Sequence, residues 1–235
     1  MRGLKALIHK FGRWYCSEVC RREFVSQSFR RMNERPIEFS FVFRQLLKTC
    51  PKTVLDVGTG ETALPDLMRN CGFLVTATDN VKDYWPAGMF NRHYYVINDD
   101  ITDTLIEERF DFITCVSVLE HIEAYDSAVR NMFKLLRVKG HLALTFPYNE
   151  TRYVPDVYKL PGAGRGQNAP YICQVFSKNE IERWLDHNKG RIIEQVYWQC
   201  YEGEFWTFGR QVLPACEVTR DDRHQFTCVL IQKIE

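Results

Sequence analysis

Two glycines, Gly58 and Gly60, follow a run of apolar residues and precede a segment that is typical of a helix. Glycine adopts a positive φ and lets a ligand approach the backbone closely, and the first turn of a helix offers unpaired N–H groups. A turn of this kind suits a carboxylate or a phosphate. A tight turn that binds nothing would contain the same two glycines, so the interpretation depends on residues elsewhere in the chain.

Acidic residues at the ends of neighbouring apolar runs sharpen this interpretation. Asp56 lies just before the glycine turn, where a carboxylate accepts from a ligand ammonium group or orients the turn. Asp79 ends the next apolar run, nineteen residues after the second glycine, where an acid would hold two ribose hydroxyls. Asp100 and Ile101 follow the third run, where an acid can accept from an adenine amino group. Together these positions predict a nucleoside site.

The elements that would position these residues alternate along the chain. Strand-like runs cover residues 53–58, 73–79, 93–100, 110–118, 141–147, 191–200 and 224–234. Helix-like segments cover residues 37–50, 61–72, 127–140 and 177–188. A capping box of Ser177 and Glu180 begins the last of these helices. Apolar strands that alternate with helices indicate a mostly parallel sheet covered on both faces, with ligand sites at the carboxyl ends of its strands.

The motifs VLDVGTGETALPDLM, VTATD, NDDI, FDFITCVSVLEHI and LLRVKGHLALTFP occur in this order between residues 53 and 147. In sequence and spacing they resemble the class I S-adenosylmethionine-dependent methyltransferases. The resemblance implies an α/β fold with a Rossmann-like, doubly wound, seven-stranded sheet that is mostly parallel with an antiparallel last strand. It also implies an S-adenosylmethionine-binding methyltransferase domain over residues 51–235, preceded by an N-terminal helical cap or lid over residues 1–50.

The resemblance assigns cofactor-binding roles along the strand ends. The methionine part of S-adenosylmethionine would lie against Asp56, Gly58, Thr59 and Gly60, the ribose against Asp79 and Asn80, the adenine against Asp100 and Ile101, and Ser117 and Val118 would line the cofactor. Thr62 occupies the third glycine position of the family, a departure that affects the course of the turn. Arg35, just before the domain, is a candidate partner for the cofactor carboxylate.

Methyl transfer from a sulfonium is an in-line displacement, in which positioning supplies much of the catalysis. A hydroxyl acceptor also benefits from a general base. His121 follows the fourth strand directly and is the leading catalytic candidate, although a structural role would also explain it. His224 begins the last strand on the side of the sheet where the site is expected, and it is the second candidate. His93 comes at the start of its strand and therefore lies at the opposite end of the sheet.

Two long connections are expected to contact the acceptor. One follows the fifth strand and is rich in Gly, Pro and Tyr, and the other spans residues 202–223. Long loops inside a compact domain are usually functional. The predicted substrate-binding residues are Tyr148, Asn149, Arg152, Tyr153, Trp206 and Arg210. For the second connection, a packed surface loop is the alternative.

The bulk composition excludes several classes of protein. A net charge of +1 gives no lysine and arginine surplus for a dedicated nucleic-acid binder. The nine cysteines are odd in number and form no CxxC pair, so we expect free thiols, no metal site and a cytoplasmic location. No apolar run approaches the roughly 18 residues that a membrane span needs.

The N-terminal segment carries an amphipathic stripe and many basic residues. The stripe consists of Leu4, Leu7, Ile8, Phe11, Tyr15 and Val19, spaced three and four residues apart. A helix packed over the main domain with a solvated basic face would explain this pattern. The functional alternative is a lid, which is compatible with a packed helix, or an anchor that makes peripheral contact with a membrane surface.

We therefore expect an S-adenosylmethionine-dependent enzyme, a methyltransferase of EC 2.1.1 type, that methylates a hydroxyl of a small molecule or a glycan. The alternatives are an N- or C-methyltransferase of a small molecule and a methyltransferase-like protein that binds without turnover. A nicotinamide-dependent oxidoreductase is opposed by Asp56 and by the lack of a Tyr-x-x-x-Lys pair. The identity of the acceptor and the oligomeric state are not indicated.

Overall fold

The computed structural model describes residues 2–27, 33–81 and 94–235. The chain divides into two compact units, residues 1–33 and 34–235. In the first unit, a single helix, α1, covers Arg2–Val25. His93, weighed above as a base, lies outside the described residues. In the part of the chain that the structure describes, no helix is both long and apolar enough to cross a bilayer.

One mixed sheet forms the centre of the second unit. Its strands are β1 (Thr53–Val57), β2 (Leu74–Asp79), β3 (Val96–Asn98), β4 (Phe110–Val116), β5 (Leu136–Pro147), β6 (Gly190–Tyr201), β7 (Gln211–Val218) and β8 (Phe226–Lys233). Their order is β3-β2-β1-β4-β5-β8-β6-β7. Strands β1 to β5 pair in parallel, β8 is antiparallel to both β5 and β6, and β7 is antiparallel to β6. The predicted fold class is confirmed.

The number of strands corrects the prediction, because the described residues form eight strands rather than seven. The additional strand, β7, lies inside the connection predicted over residues 202–223. It contains Pro214, which lacks a backbone N–H and makes a strand hard to recognise in a sequence. A proline is tolerated there because β7 is at the edge of the sheet and pairs only with β6.

The helices cover both faces of the sheet. They are α2 (Arg35–Thr49), α3 (Leu64–Asn70), α4 (Tyr125–Leu135) and α5 (Lys178–Asn188). The predicted capping box of α5 is confirmed, since the Glu180 carboxylate accepts from the backbone N–H of Ser177 at 3.0 Å. The predicted helix over residues 127–140 ends earlier, at Leu135, because Leu136 already pairs with Phe110 of β4.

Two apolar clusters lie on opposite faces of the sheet. Neighbouring residues of β1, Val54 and Leu55, belong to different clusters, as side chains alternate along a strand. On one face α2 contributes Phe41 to the cluster, and on the other α5 contributes Trp184. Helix α2 lies in the second unit and packs against the sheet. A capping role for residues 1–50 stays a prediction.

Candidate active site

The glycine turn at the end of β1 has the predicted conformation. Gly58 and Gly60 have φ values of +71° and +56°, a region that other residues adopt only with strain. The N–H of Gly58 donates to the carbonyl of Thr78 at 2.9 Å, which joins the turn to β2. A Cβ on Gly58 would lie 2.4 Å from the Val118 side chain, whereas a Cβ on Gly60 would meet no atom of the described residues within 4 Å. Among the described residues, the turn is therefore closely packed on one side and open on the other.

Asp56 is buried beneath this turn. Its carboxyl group accepts hydrogen bonds from the hydroxyls of Thr59 at 2.6 Å and Thr114 at 2.5 Å. Burial raises the pKa of Asp56 to about 6, although these two hydrogen bonds oppose the rise. In this structure Asp56 thus orients the turn, one of the two roles that its position predicts. Its contact with a ligand ammonium group stays a prediction.

The acidic residues that follow β2 and β3 come close to the turn. The Asp79 carboxylate accepts from the backbone N–H of Gly60 at 2.6 Å, so the end of β2 is tied to the end of β1. Asn80 donates to the Asp100 carboxylate at 3.4 Å, and Asp100 also accepts from the N–H of Thr102 at 2.9 Å. The fold therefore brings together the two carboxylates that were predicted at the ribose and the adenine. Hydroxyl and amino groups of a nucleoside are suitable donors to them.

Tyr94 borders the same turn and was not predicted. Its hydroxyl donates to the carbonyl of Thr62, the residue that occupies the family's third glycine position. Burial raises the pKa of Tyr94, and the nearby charges of Asp56 and Asp79 raise it further. The hydroxyl therefore stays protonated, close to the carboxylates of Asp56 and Asp79. No signal in the sequence distinguishes Tyr94 from the other tyrosines.

Glu38 of α2 is a second residue that the sequence analysis missed. Its side chain is fully buried, with 0% exposed, and it accepts from the hydroxyls of Ser117 and, at 2.7 Å, Thr145. These two residues lie at the carboxyl ends of β4 and β5. The signal was available, because Glu38 lies on the buried stripe of α2 with Phe41, where a carboxylate is unusual.

Arg35 lies next to Glu38 at the ends of the strands. Its guanidinium donates to the Glu38 carboxylate at 2.9 Å and to the carbonyl of Val116, the last residue of β4, at 3.4 Å. Burial raises the pKa of Glu38, and the Arg35 charge opposes this rise. The Arg35 charge also opposes the rise in the pKa of Asp56 that burial causes. Arg35 is thus placed near the predicted methionine end of the site, and its pairing with a cofactor carboxylate stays a prediction.

His121 is held in one tautomer. Its Nδ1 lies 2.6 Å from the carbonyl oxygen of Ile172, and a carbonyl only accepts, so Nδ1 carries the proton and Nε2 is the basic nitrogen. Burial lowers the pKa of His121, which keeps the ring neutral near pH 7. The side chain remains 29% exposed, so the ring is accessible in part. A neutral, oriented and accessible imidazole is suited to general base catalysis.

Glu120 lies directly beside this histidine. Its Oε1 is 3.9 Å from Nε2 of His121, and its Oε2 is buried with no hydrogen-bond partner among the described residues. Only 3% of Glu120 is exposed, and burial raises its pKa to about 8. Glu120 is therefore protonated and neutral at pH 7. The structure thus places a second titratable group next to the leading base.

His224 has different surroundings. It is buried, its Nδ1 lies 2.7 Å from the carbonyl oxygen of Asp222, and its ring stacks on Tyr148 at 5.6 Å. Its Nε2 is enclosed and has no partner among the described residues. A general base must come within hydrogen-bond reach of the acceptor proton, and His224 does not offer an open nitrogen in this structure. Its catalytic role stays a prediction.

The predicted substrate residues after β5 fall into two groups. Tyr148 is buried and donates to Glu150 at 3.0 Å, while Asn149 accepts from the N–H of Arg152 at 3.0 Å and turns the loop. Arg152 and Tyr153 instead line a cavity of about 590 Å³. The rest of its lining is Glu123, Val154, Pro155, Asp156, Lys159, Leu160, Ile172 and Gln174. The cavity therefore lies next to His121, because Ile172 lines the cavity and its carbonyl oxygen is bonded to Nδ1 of His121.

The two predicted substrate residues before β7 differ from each other. Trp206 is buried in the apolar cluster, where its ring contacts Tyr201 and Phe226. This packing is what the alternative of a packed loop predicts. Arg210 is exposed and pairs with Glu202 at 2.6 Å. Contacts of either residue with a substrate stay predictions.

A family model described as a methyltransferase domain matches residues 24–194, which include all of these strand ends from β1 to β5. The chain belongs to the methyltransferase domain family. It is a class I S-adenosylmethionine-dependent methyltransferase, as the motifs predicted. The ubiquinone biosynthesis O-methyltransferase of Coxiella burnetii is 30% identical over 172 residues, which cover 68% of this chain and 71% of that protein. The protein of the same name from Xanthomonas euvesicatoria is 26% identical over 185 residues, 71% and 73% of the two chains.

Solved methyltransferase structures share the fold. An S-adenosylmethionine-dependent methyltransferase from Clostridium acetobutylicum aligns with a TM-score of 0.55 and 13% identity over 96% of this chain and 98% of its own. The 1,6-didemethyltoxoflavin-N1-methyltransferase of Burkholderia thailandensis aligns with a TM-score of 0.53 and 19% identity over 94% and 90%. At these identities the likeness concerns the fold alone. The predicted cofactor, S-adenosylmethionine, is confirmed for the methyltransferase by its family.

The residues present fit this cofactor. Gly60 leaves open space beside the turn, where a side chain would otherwise project. Asp79 and Asp100 provide carboxylate acceptors for the hydroxyl and amino groups of an adenosine. Arg35, which is paired with Glu38 in this structure, is a cation at the end of β4 that a methionine carboxylate could use. The residues thus include acceptors for the adenosine and a cation for the carboxylate.

Proposed function

We propose that this methyltransferase methylates a hydroxyl of a small molecule or a glycan, with His121 as the general base. The observation that carries the proposal is the 2.6 Å hydrogen bond between Nδ1 of His121 and the carbonyl of Ile172. It places the ring proton on Nδ1 and leaves Nε2 as the basic nitrogen. A hydroxyl is a weak nucleophile until its proton is removed, so it gains from such a base, whereas an uncharged amine does not need one.

In this proposal the cofactor lies across the carboxyl ends of β1 to β4. Asp79 and Asn80 hold the ribose, Asp100 and Ile101 the adenine, Arg35 the carboxylate, and the turn with Asp56, Gly58, Thr59 and Gly60 the remaining methionine part, while Ser117 and Val118 line the site. When bound, the cofactor supplies a methyl group on a sulfonium, which needs no further activation. The chain's own residues then have to position the acceptor and remove its proton.

His121 performs the proton step. Its Nε2 accepts the hydroxyl proton while the acceptor oxygen gains the methyl group, and the ring becomes an imidazolium that still donates through Nδ1 to Ile172. Glu120, whose Oε1 lies 3.9 Å from Nε2, is neutral at pH 7 and would stabilise this charge only after it releases its own proton. Both residues follow β4, at the edge of the sheet where the cofactor is proposed to bind.

The cavity beside His121 is the proposed acceptor site. Arg152, Tyr153 and Gln174 give it polar groups, and the Tyr153 hydroxyl donates to Gln174 at 2.6 Å. Such groups can exchange hydrogen bonds with a hydroxylated acceptor. The relatives from Coxiella burnetii and Xanthomonas euvesicatoria are named O-methyltransferases, which supports an oxygen acceptor. His224, Tyr148, Asn149, Trp206 and Arg210 remain candidates for contacts with larger acceptors.

The experiment is a methyl-transfer assay with labelled cofactor and a panel of phenols, catechols, sugars and amines. Wild type should methylate a hydroxyl compound, and His121→Asn, which retains a donor toward Ile172, should lower kcat by about 100-fold or more. Affinity for S-adenosylhomocysteine, measured by calorimetry, should stay unchanged. Since burial lowers the pKa of His121, wild-type turnover should fall only when the pH drops below about 6.5, the ordinary pKa of a histidine.

A matched control is His141→Asn, which removes a half-buried histidine from β5. It should retain full turnover. Full turnover by His121→Asn would make His121 a structural residue. Turnover of amines without turnover of any hydroxyl compound would overturn the assignment of the acceptor atom.

A further inference from the structure

Helix α1 exposes a continuous apolar stripe. The stripe consists of Leu4, Leu7, Ile8, Phe11, Trp14 and Tyr15, each between 55% and 66% exposed. At 3.6 residues per turn, these side chains fall within an arc of about 120°. The rings of Phe11 and Trp14 lie 5.7 Å apart and form one aromatic surface on this stripe. Isolated apolar residues are common on protein surfaces, but a stripe of this size indicates an interaction site.

Basic residues clearly outnumber acidic residues in α1. The helix contains six of the chain's 31 basic residues but only two of its 30 acidic residues, although the whole chain has a net charge of +1. Its first acidic residue, Glu18, pairs with Arg21 at 2.7 Å and Arg22 at 3.0 Å. The apolar stripe ends before this ion pair, and Lys5, Lys10 and Arg13 lie outside its arc.

We infer that α1 binds the surface of an anionic lipid bilayer, with its apolar stripe in the boundary between headgroups and acyl chains and its basic residues at the headgroups. A basic amphipathic helix with Leu, Phe and Trp on one face has the composition of such interfacial helices. Tyr and Trp favour this boundary because one end of each side chain is apolar and the other is polar. Each lysine or arginine adds attraction to anionic lipids.

Two other occupants explain less of the helix. A second copy of α1 would cover the apolar stripe, but it would bring two basic helices together, and their like charges would repel each other. A nucleic acid would satisfy the basic residues, but it would leave the apolar stripe in water. Of these three occupants, the bilayer surface is the one that satisfies both faces of α1. This inference is independent of the proposed acceptor and base.

The experiment is vesicle flotation with the full-length protein. Wild type should bind vesicles that contain about 30% phosphatidylserine, bind phosphatidylcholine vesicles at least tenfold more weakly, and release partly in high salt. Leu7→Asp/Phe11→Asp and Lys5→Glu/Lys10→Glu should each weaken binding to the anionic vesicles at least about tenfold. Circular dichroism and calorimetry with S-adenosylhomocysteine should show that both variants are folded.

Matched controls come from other helices. Leu47→Asp changes an exposed leucine of α2, and Lys134→Glu changes an exposed lysine of α4, and both should bind vesicles as wild type does. Failure of wild type to bind anionic vesicles would overturn the inference. Unchanged binding by Leu7→Asp/Phe11→Asp would also overturn it, because it would show that the basic residues bind the anionic surface without the apolar stripe. A wild-type dimer that this double variant dissociates, without any vesicle binding, would show that a second copy covers α1.

Discussion

The glycine turn and the buried carboxylate of Glu38 lie at the same edge of the sheet but hold their polar groups in different ways. At the turn, Asp79 bonds to a backbone N–H nineteen residues away. Glu38 bonds to the side chains of Ser117 and Thr145, which are 79 and 107 residues away. The first arrangement uses backbone groups that any residue supplies. The second depends on particular side chains that meet only in the folded protein.

This difference separates two halves of the site. We call the glycine turn, Asp79 and Asp100 the cofactor half, and Glu38, Glu120 and His121 the acceptor half. The cofactor half is governed mainly by backbone conformation, so steric changes should damage it most. The acceptor half contains two buried carboxyl groups, Glu38 and Glu120, against the single Asp56 beneath the turn, so changes of charge and of pH should damage it most. Four predictions test this contrast.

The largest effect is expected for the pH dependence of stability at Glu120. Its pKa rises from 4.5 to about 8 on folding, so between these values the folded state holds a proton that the unfolded state has released. The free energy of unfolding therefore falls as pH rises through this window, by about 4 kcal/mol for this group from pH 5 to pH 8. Glu120→Gln should lack this part of the decline in urea unfolding measured at pH 5, 6, 7 and 8. Glu107→Gln, an exposed control, should follow wild type.

A parallel decline in wild type and Glu120→Gln would show that Glu120 is ionised in the folded protein. It would also remove the neutral carboxyl group from the account of the acceptor half.

The second prediction concerns Glu38. Glu38→Ala removes the partner of the Arg35 guanidinium and the acceptor of two buried hydroxyls, so it should lower the free energy of unfolding by about 3 kcal/mol. Urea denaturation at pH 7 measures the loss. Glu38→Gln keeps an acceptor oxygen and should lose less, and Glu107→Ala should change stability very little. A loss no larger than that of the exposed control would mean that the Glu38 contacts do not hold β4 and β5 together.

The third prediction tests the steric character of the cofactor half. Gly58→Ala would combine a positive φ with a Cβ 2.4 Å from Val118, so it should weaken S-adenosylhomocysteine binding by about 100-fold. Gly72→Ala is the control, because Gly72 also has a positive φ of +100° but nothing within 4 Å of its Cβ. The control should bind normally. Equal affinities of the two variants in calorimetry would show that the contact with Val118 does not matter.

The fourth and smallest effect is expected at Asp79. Asp79→Asn keeps the size of the side chain and an acceptor oxygen for Gly60, but it loses the charge, so affinity for S-adenosylhomocysteine should fall about tenfold. Asp103→Asn, just beyond the predicted adenine contacts, is the charge control and should bind as wild type does. Unchanged affinity of Asp79→Asn would exclude its proposed contact with the ribose.

The same contrast explains what could be predicted from the sequence. Asp79 and Asp100 were found because each follows a strand, and the ends of parallel strands share one edge of the sheet. Glu38 was missed because a glutamate in a helix is usually solvent-exposed, although its place on the apolar stripe of α2 was a usable signal. Glu120 precedes His121 in the sequence, but its burial could not be seen there. The tautomer of His121 depends on Ile172, 51 residues further along the chain.

Errors in the predicted elements have local causes. The helix predicted up to residue 140 was too long because Val129, Met132 and Leu136 keep a helical spacing, while pairing of Leu136 with Phe110 begins β5. The strand β7 was missed because Pro214 lies within it. In both cases pairing across the sheet determined the structure of a segment whose local sequence was ambiguous.

The most direct test of the central claim is a crystal structure of the wild-type protein with S-adenosylhomocysteine. We predict a nucleoside at the carboxyl ends of β1, β2 and β3, with its ribose hydroxyls on Asp79 and its adenine beside Asp100 and Ile101. A nucleoside bound elsewhere on the protein, with Asp79 still bonded only within the chain, would contradict the account.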